Sequence, residues 1–437
     1  MANYNPNSTP YTHSFEPNTN QLTMAMDYNA LGQPIIRTVP YGDGSAGGTD
    51  AFGRQKIAQP YTLFDSQHRY QQNDKFWTSV ATSATITHDA NASLVNMNVT
   101  DANTSSAIME TKKVFPYQPG KALEILTTFT MAAGETNLRQ RVGYFTENNG
   151  IYLEKDGTDV YMVLRSYVSG SVVEERIAQS NWNTDTLDGN GPSSITLDLS
   201  KSQILYIDIE WLGVGTVRTG FVIDGAFVTA HKFHHANDIT GTYMTTAALP
   251  VRYEITNTGA TTQANTMKAI CTSVVSSGGF SPSGKQSSIG RNLTYYTMAT
   301  AGTYYHVASI KLNSSRLDAV VIPDAINVLS SSNQNIQYKL VLNATFATSL
   351  SFSSHTNGNV DYSTTDTAVS DTGTEVATKY IVNKGEAVAF TQRELSELQL
   401  SRDGGSSTPD VLSVIATGDS NNVTVSGNIG WIEPMQG

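Results

Sequence analysis

Two acidic residues on one strand-like run are the first candidates for chemistry. Asp208 and Glu210 stand two positions apart in a run that alternates between apolar and polar residues, so both project from one face of a strand. The two-residue rise separates them by about 7 Å, whereas a retaining glycosidase holds its two carboxyls about 5–5.5 Å apart. The next position on that face is Leu212. The pair is therefore either catalytic or part of a solvated sheet face that pairs with Arg218 across the turn, and we favour the solvated face.

The chain has one histidine cluster, formed by His231, His234 and His235. On a strand, His231 and His235 share a face, and Asp238 is available as an oxygen ligand. A metal site also needs a carboxylate or carbonyl behind each imidazole. Polar and aromatic packing at the end of a strand explains the same residues more simply, so we predict no metal site here.

The loop over residues 185–191 is dense in side-chain oxygens and offers a second type of metal site. Loop oxygens at this density can hold a calcium ion, but the twelve-residue spacing of an EF-hand is missing. An ordinary turn rich in Asp and Asn has the same composition. We predict no catalytic residue, no metal and no cofactor, and hence no enzyme.

Aromatic side chains provide another kind of candidate. The chain contains 21 tyrosines and four tryptophans. Exposed Tyr and Trp rings stack on sugars and anchor protein interfaces, and buried ones fill cores. The candidate glycan contacts are Trp211, Tyr295 and Tyr304.

Composition excludes several classes of protein. The 437 residues include 39% hydrophobic but only 15% charged residues, and the net charge of −11 argues against neutralising nucleic-acid phosphates. Cys271 is the only cysteine, so no intrachain disulfide forms, which fits assembly in a reducing cytoplasm. The N-terminus lacks a signal-peptide pattern, and no apolar run approaches the ~18 residues of a membrane helix. We predict neither nucleic-acid binding nor membrane insertion.

The elements that must position these residues are strands. Over residues 61–275, alternating runs such as Lys121–Met131 are separated by tight-turn signals at Asn149-Gly150, Asp156-Gly157 and Asp224-Gly225. Regularly spaced strands with short turns predict an antiparallel β-sandwich rather than a βαβ fold.

A Ser/Gly-rich linker over residues 276–290 precedes a second β-sandwich domain over residues 291–437. The strands predicted there are Tyr304–Leu312, Leu317–Ile322, Tyr338–Phe346 and Val411–Thr417. A capping box from Thr391 to Glu394 suggests one helix, although Leu398 and Leu400 also alternate as in a strand. The predicted fold class is therefore all-β, with two antiparallel jelly-roll-like sandwiches behind an extended N-terminal arm.

That arm, residues 1–60, is rich in Pro, Asn, Tyr and Gly and cannot bury enough apolar area to fold alone. It is either a disordered tail or a segment that becomes ordered on a neighbouring subunit, and we favour the second. Residues 51–65, where the arm meets the body, form either the first strand of the sandwich or a docking segment. The candidate docking residues are Tyr28, Pro34, Arg37, Phe52, Arg54, Tyr61, Leu63 and Phe64.

Several stretches together resemble virion structural proteins of tailed bacteriophages, especially those of marine and cyanobacterial phages. The resemblance covers roughly residues 25–260. The matching stretches are Tyr28-Asn-Ala-Leu-Gly-Gln-Pro34 with Arg37, Phe52-Gly-Arg-Gln, Pro60-Tyr-Thr-Leu-Phe-Asp65, Glu210-Trp-Leu-Gly-Val-Gly215, Arg218, Gly220-Phe-Val-Ile-Asp-Gly225, and His231 with His234-His-Ala-Asn237.

The central domain, residues 61–275, is also similar to concanavalin-like or laminin-G-like jelly rolls. The resemblance to virion proteins implies a place in a phage particle but does not imply any catalytic residue. Tail, baseplate and fibre positions are favoured; a capsid-surface decoration protein and a carbohydrate-binding, receptor-recognising module are the alternatives, and a glycoside hydrolase ranks last. The implied partners are other virion proteins, further copies of this chain and host surface glycans. A trimer is favoured, since phage appendages are commonly trimeric, although no coiled-coil heptads enforce one.

Overall fold

The computed structural model describes residues 60–382, 398–404 and 407–434, together with the backbone of two short strands in the arm. These residues confirm the all-β prediction. They form antiparallel sheets, a single 3-10 turn at Gln179–Asn181 and no α-helix. The helix predicted from Thr391 lies outside the described residues. No helix among them is long and apolar enough to cross a membrane.

The first domain consists of two large sheets that face each other. The seven-stranded sheet has the spatial order β13 (Val173–Ala178), β12 (Asp159–Ser166), β11 (Gly150–Asp156), β10 (Leu138–Phe145), β18 (Val251–Asn257), β7 (Ser106–Thr111) and β4 (Trp77–Thr82). The eight-stranded sheet has the order β16 (Ala226–Phe233), β15 (Val217–Ile223), β14 (Gln203–Ile209), β9 (Leu123–Thr130), β19 (Asn265–Ser276), β6 (Leu94–Val99) and β5 (Ala84–Asp89), with β3 (Tyr61–Gln67) also paired to β19. A short pair, β8 (Phe115–Pro116) with β17 (Ala248–Leu249), completes this domain.

The alternation of apolar and polar residues fixes the faces of these strands. Leu205, Ile207 and Ile209 of β14 lie in one continuous core between the sheets, together with Val142 and Leu153 of the opposite sheet. The predicted turn after β15 holds two consecutive residues at positive φ, Asp224 at 51° and Gly225 at 78°. That geometry is typical of the tight hairpin turn for which Asp-Gly is favoured.

The second domain has its own core between two smaller sheets. The four-stranded sheet contains β20 (Lys285–Gly290), β33 (Val423–Glu433), β21 (Tyr296–Met298) and β23 (Ile322–Leu329). The six-stranded sheet has the order β26 (Ser353–Ser354), β27 (Val360–Ser363), β22 (Tyr305–Leu312), β32 (Leu412–Gly418), β24 (Ile336–Leu342) and β29 (Thr374–Ile381). Two short pairs lie outside the sheets, β25 (Thr345–Phe346) with β28 (Val369–Asp371), and β30 (Arg402–Asp403) with β31 (Thr408–Pro409).

Four details differ from the sequence-based interpretation. The predicted strand Tyr338–Phe346 is divided, because β24 ends at Leu342 and Thr345–Phe346 pairs with β28. The predicted linker is shorter, because Lys285–Gly290 is a strand that pairs with β33 along its whole length. The predicted strand Leu317–Ile322 starts only at Ile322. Part of the arm is not simply extended, because β1 (Ala25–Tyr28) pairs with β2 (Pro34–Arg37) to form a two-stranded antiparallel unit, here called the arm ladder. Extended backbone satisfies its hydrogen bonds through such pairing.

Candidate functional site

The predicted acidic pair does not lie on a solvated face. Asp208 and Glu210 have no exposed surface. Asp208 is turned away from the core between the sheets, since Ile207 and Ile209 on either side of it lie in that core, and Glu210 directly follows the end of β14. Asp208 lies directly opposite Arg218 on β15, and the closest guanidinium and carboxylate atoms are 3.8 Å apart. The Tyr117 hydroxyl donates a hydrogen bond of 3.4 Å to Glu210 Oε2. Alternation therefore predicted the face and the Arg218 partner correctly, but the burial was missed because residue spacing does not show what packs on a sheet.

His231 and His235 make packing contacts, whereas His234 is exposed. His231 is buried with its ring edge-on to Phe233, and His235 stacks on Tyr243 with centroids 3.9 Å apart. Burial and, as a smaller cause, the neighbouring His234 lower the pKa of His231 to about 4. A neutral, packed imidazole is what the favoured interpretation expects. Among the described residues, no three His, Cys, Asp or Glu side chains gather in a group that could hold a metal ion.

The oxygen-rich loop uses its carboxylates to bind its own backbone. Asp185 accepts hydrogen bonds from the backbone N–H groups of Leu187 and Ser193, at 2.9 and 2.8 Å. Asp188 accepts one from the N–H of Asn190 at 2.9 Å and one from the Thr186 hydroxyl at 2.8 Å. This arrangement is that of the Asx-rich turn, the second of the two interpretations of this loop.

The outer face of the seven-stranded sheet carries a set of charges that sequence reasoning missed. Glu154, Arg141, Glu254, Arg252 and Glu110 alternate in sign across strands β11, β10, β18 and β7, and we call them the ion-pair row. Successive members approach within 2.6, 3.4, 2.9 and 3.1 Å. All five side chains are at most 8% exposed. A signal was available, because charged residues at alternate positions of otherwise apolar strands indicate a polar face.

The charges of the row determine how its carboxyls titrate. Burial by itself raises the pKa of Glu254, but Arg252 and Arg141 on either side outweigh it and hold that pKa below its usual value. At Glu110 burial dominates, and the pKa is raised despite Arg252 and Arg402. Glu110, at the end of the row, is thus protonated more easily than Glu254.

The row continues across the boundary between the domains. Arg402, on a segment of the second domain, places a guanidinium nitrogen 3.3 Å from Glu110 Oε1. Next to it, Asp403 contacts the Thr78 hydroxyl, and the Gln399 amide donates to the Val114 carbonyl at 3.0 Å. A Cβ added at Gly404 would overlap the Glu110 carboxylate. We call these contacts of residues 399–404 with the first domain the junction; they fix one domain against the other through specific polar bonds.

An interdomain groove with a volume of about 1090 Å³ lies beside the junction. The whole of β3 and the following loop to Phe76 form one wall, while residues of β29 and Leu398–Ser401 contribute to the other. Two tyrosines on the first wall are well exposed, Tyr61 by 50% and Tyr70 by 85%. Its position between two domains is common for binding sites.

The predicted docking residues fall into three groups. The first group belongs to β3 and consists of Tyr61, Leu63 and Phe64. This part of the segment is therefore a strand of the sandwich, as the first of the two interpretations predicted, and all three residues line the groove. Tyr28, Pro34 and Arg37 lie in the backbone of the arm ladder, where Tyr28 pairs with Pro34. Phe52 and Arg54 lie outside the described residues.

The predicted glycan contacts do not form one site. Trp211 is half-buried against the core of the first domain, whereas Tyr295 and Tyr304 belong to the second. Tyr295 is 37% exposed. Tyr304 is half-buried, and its hydroxyl binds Gln337 on β24.

No protein-family model and no curated protein matches this chain. Similar solved structures include a GH16 protein from the mixed-linkage glucan locus of Bacteroides ovatus in complex with its product, with a TM-score of 0.35, 12% identity, and coverage of 48% of this chain and 99% of the other. The carbohydrate recognition domain of Emp47p has a TM-score of 0.32, 10% identity, and coverage of 49% and 94%. The laminarinase catalytic domain of Thermotoga maritima has a TM-score of 0.35, 13% identity, and coverage of 50% and 98%. With TM-scores below 0.5, these similarities bear on neither the chemistry nor the ligands of this chain.

Proposed function

We propose that this chain is a non-enzymatic structural component of a tailed phage virion. The observation that carries the proposal is the junction, where the ion-pair row passes from Glu110 to Arg402 of the second domain at 3.3 Å. A buried charge is costly unless its partner sits in the right place, so such contacts favour one relative position of two bodies. A strut within a particle needs that property, and the resemblance of residues 25–260 to virion proteins agrees with it.

The burial of the acidic pair supports a non-enzymatic role. A glycosidase must bring its carboxyls against the scissile bond of the sugar. Asp208 and Glu210 have no exposed surface, and Asp208 lies opposite Arg218. If Glu210→Gln abolished a polysaccharide-cleaving activity of the purified protein, the non-enzymatic assignment would be wrong.

Within the particle, we propose a position in the tail, baseplate or fibre, with the capsid surface as the alternative. The arm would join the body to neighbouring subunits, either other virion proteins or copies of the same chain, assembled in the host cytoplasm. Mass spectrometry of purified particles is the direct test, and the chain should be found in amounts comparable to known tail proteins. Its absence from intact particles would end the proposal, and an electron cryomicroscopy map would choose between the positions.

A second candidate function is the binding of a host surface glycan. The observation that favours it is the exposure of aromatic rings, including Tyr295 among the predicted contacts. Such rings stack on sugars with little loss of side-chain freedom. A glycan array probed with the whole protein and with Tyr295→Ala tests this function, and Tyr167→Ala, also partly exposed, is the matched control. No signal for the whole protein would remove this candidate.

A further inference from the structure

Strand β3 has one open edge. Among the described strands it pairs only with β19, from Tyr61 opposite Ser276 to Gln67 opposite Cys271. Its other edge therefore presents a row of backbone N–H and C=O groups over seven residues. Such an edge is a template for another strand, and proteins usually cover it or shorten it.

The open edge faces the interdomain groove, because all seven residues of β3 line that groove. Apolar side chains from both domains contribute to its walls, including Phe115, Phe280 and Ile322. An added strand would gain main-chain hydrogen bonds from β3 and apolar contacts for alternate side chains. This combination is the geometry by which sheets bind extended peptides.

The arm ladder also lacks neighbouring strands. Ala25–Tyr28 and Pro34–Arg37 pair only with each other among the described strands, so each has an open outer edge. A two-stranded unit is at best marginally stable in water without a further strand or a sheet to pack on. In the sequence around its first strand, large apolar residues recur at every second position, at Leu22, Met24, Met26 and Tyr28. A run of this kind fits a strand with one apolar face.

We propose that the arm ladder of one copy adds to β3 in the groove of a neighbouring copy. This inference rests on the proposed structural role, in which copies of the chain lie side by side. Residues 38–59 separate the ladder from the body, and 22 extended residues span up to about 75 Å, enough to reach an adjacent subunit. Within the single chain, the ladder is a separate sheet and does not pair with β3. Pairing between copies would satisfy the open edge of β3 and one of the two outer edges of the ladder.

Cross-linking of mixed variants tests the pairing and its direction. One full-length chain carries Asp27→Cys, a second carries Thr62→Cys on the exposed side of β3, and both carry Cys271→Ser to remove the native thiol. The two are mixed and treated with a short bismaleimide. We expect a species of twice the 47.2 kDa chain mass. In the control, the second chain carries Tyr167→Cys instead of Thr62→Cys. Tyr167 is exposed and lies outside the groove, so no cross-linked species should form.

The other outcomes contradict the inference. If Asp27→Cys and Thr62→Cys cross-link within one doubly substituted chain and not between chains, the ladder closes its own groove. The ladder does not bind in the groove if Asp27→Cys cross-links neither to Thr62→Cys nor to Gln67→Cys at the far end of β3, within or between chains. All variants must then unfold at the same temperature as the parent protein. The virion proposal fails separately, since particle mass spectrometry does not depend on this pairing.

Discussion

One buried polar network in each domain shows a different way of burying polar groups. The first domain has the ion-pair row, in which five charged side chains lie almost without exposure on the outer face of one sheet. The second domain has a network of neutral groups, a chain of three hydrogen bonds of 2.7 Å from Thr365 through His306 and Ser309 to Ser413. When one partner of a buried charged pair is removed, the other charge stays buried without its partner, and the fold is strongly destabilised. The loss of one hydrogen bond between neutral groups destabilises the fold less.

The neutral chain has a defined direction of hydrogen bonding. The Thr365 carbonyl can only accept, so His306 Nδ1 must carry a proton and donate to it. Burial lowers the pKa of His306 to about 4, so near neutral pH the other nitrogen is unprotonated and accepts from Ser309. Ser309 in turn is free to accept from Ser413. This network thus keeps His306 uncharged, whereas the ion-pair row holds Arg141 and Arg252 charged.

Replacement of Arg252 should lower the free energy of unfolding more than any other substitution proposed for the ion-pair row or the neutral chain. Arg252→Ala leaves the carboxylates of Glu110 and Glu254 buried without their shared cation, and breaking such a pair costs about 3–5 kcal/mol. Urea unfolding at pH 7 measures the loss. The control is Lys201→Ala, whose side chain is 80% exposed and whose pair with Asp198 should contribute less than about 1 kcal/mol. Equal losses for both variants would mean that the row contributes no special stability.

Acid should destabilise the second domain through His306. Its folded pKa is about 4 against an ordinary 6.5, so the unfolded chain binds the proton first as pH falls. Stability is therefore complete above pH 6.5, decreases between 6.5 and 4, and decreases no further through this group below 4. The shift corresponds to about 3 kcal/mol. His68 and His231 in the first domain, also with pKa values of about 4, should act in the same window.

Comparison of His306→Gln with the parent isolates this contribution, because the carboxyl groups that also titrate in this range are common to both proteins. Unfolding measured at pH 7, 5.5 and 4.5 should show a flatter pH dependence for His306→Gln. Ser353→Ala, an exposed replacement that changes no titratable group, provides the control and should follow the parent curve. If the free energy of unfolding of His306→Gln depended on pH as steeply as that of the parent, the His306 imidazole would not be the cause of the destabilisation by acid.

The junction should respond to the addition of one methyl group. Gly404→Ala places a Cβ where the Glu110 carboxylate lies, so the segment must shift and the pair with Arg402 must lengthen. Overpacking of this kind costs about 1–3 kcal/mol. We expect a lower unfolding midpoint and a wider range of domain arrangements in small-angle X-ray scattering. Gly241→Ala is the matched control, because a Cβ at Gly241 has open space around it. Identical scattering from the two variants would count against a junction that fixes the domains.

The sequence predicted what is local and missed what depends on distant partners. The turn at Asp224-Gly225 and the core face of β14 followed from residue types and alternation alone. The ion-pair row did not, because Arg141 meets Glu254, 113 residues further along the chain, and only the strand order brings them together. The same limit explains the burial of Asp208 and the strand at Lys285–Gly290. A period of two assigns side chains to a face but does not show what covers it.

The smallest expected effect comes from the end of the neutral chain. Ser413→Ala removes the hydroxyl that binds Ser309 but leaves the bond between Ser309 and His306 in place, so no charge is stranded. A hydrogen bond between neutral groups contributes about 1 kcal/mol, and the loss should be of that size. Urea unfolding measures it against Ser353→Ala, an exposed serine on β26 whose replacement should have almost no effect. If Ser413→Ala cost as much as Arg252→Ala, the contrast between charged and neutral burial would be wrong. A loss of about 1 kcal/mol would instead show that the neutral chain tolerates a missing member, which the ion-pair row should not.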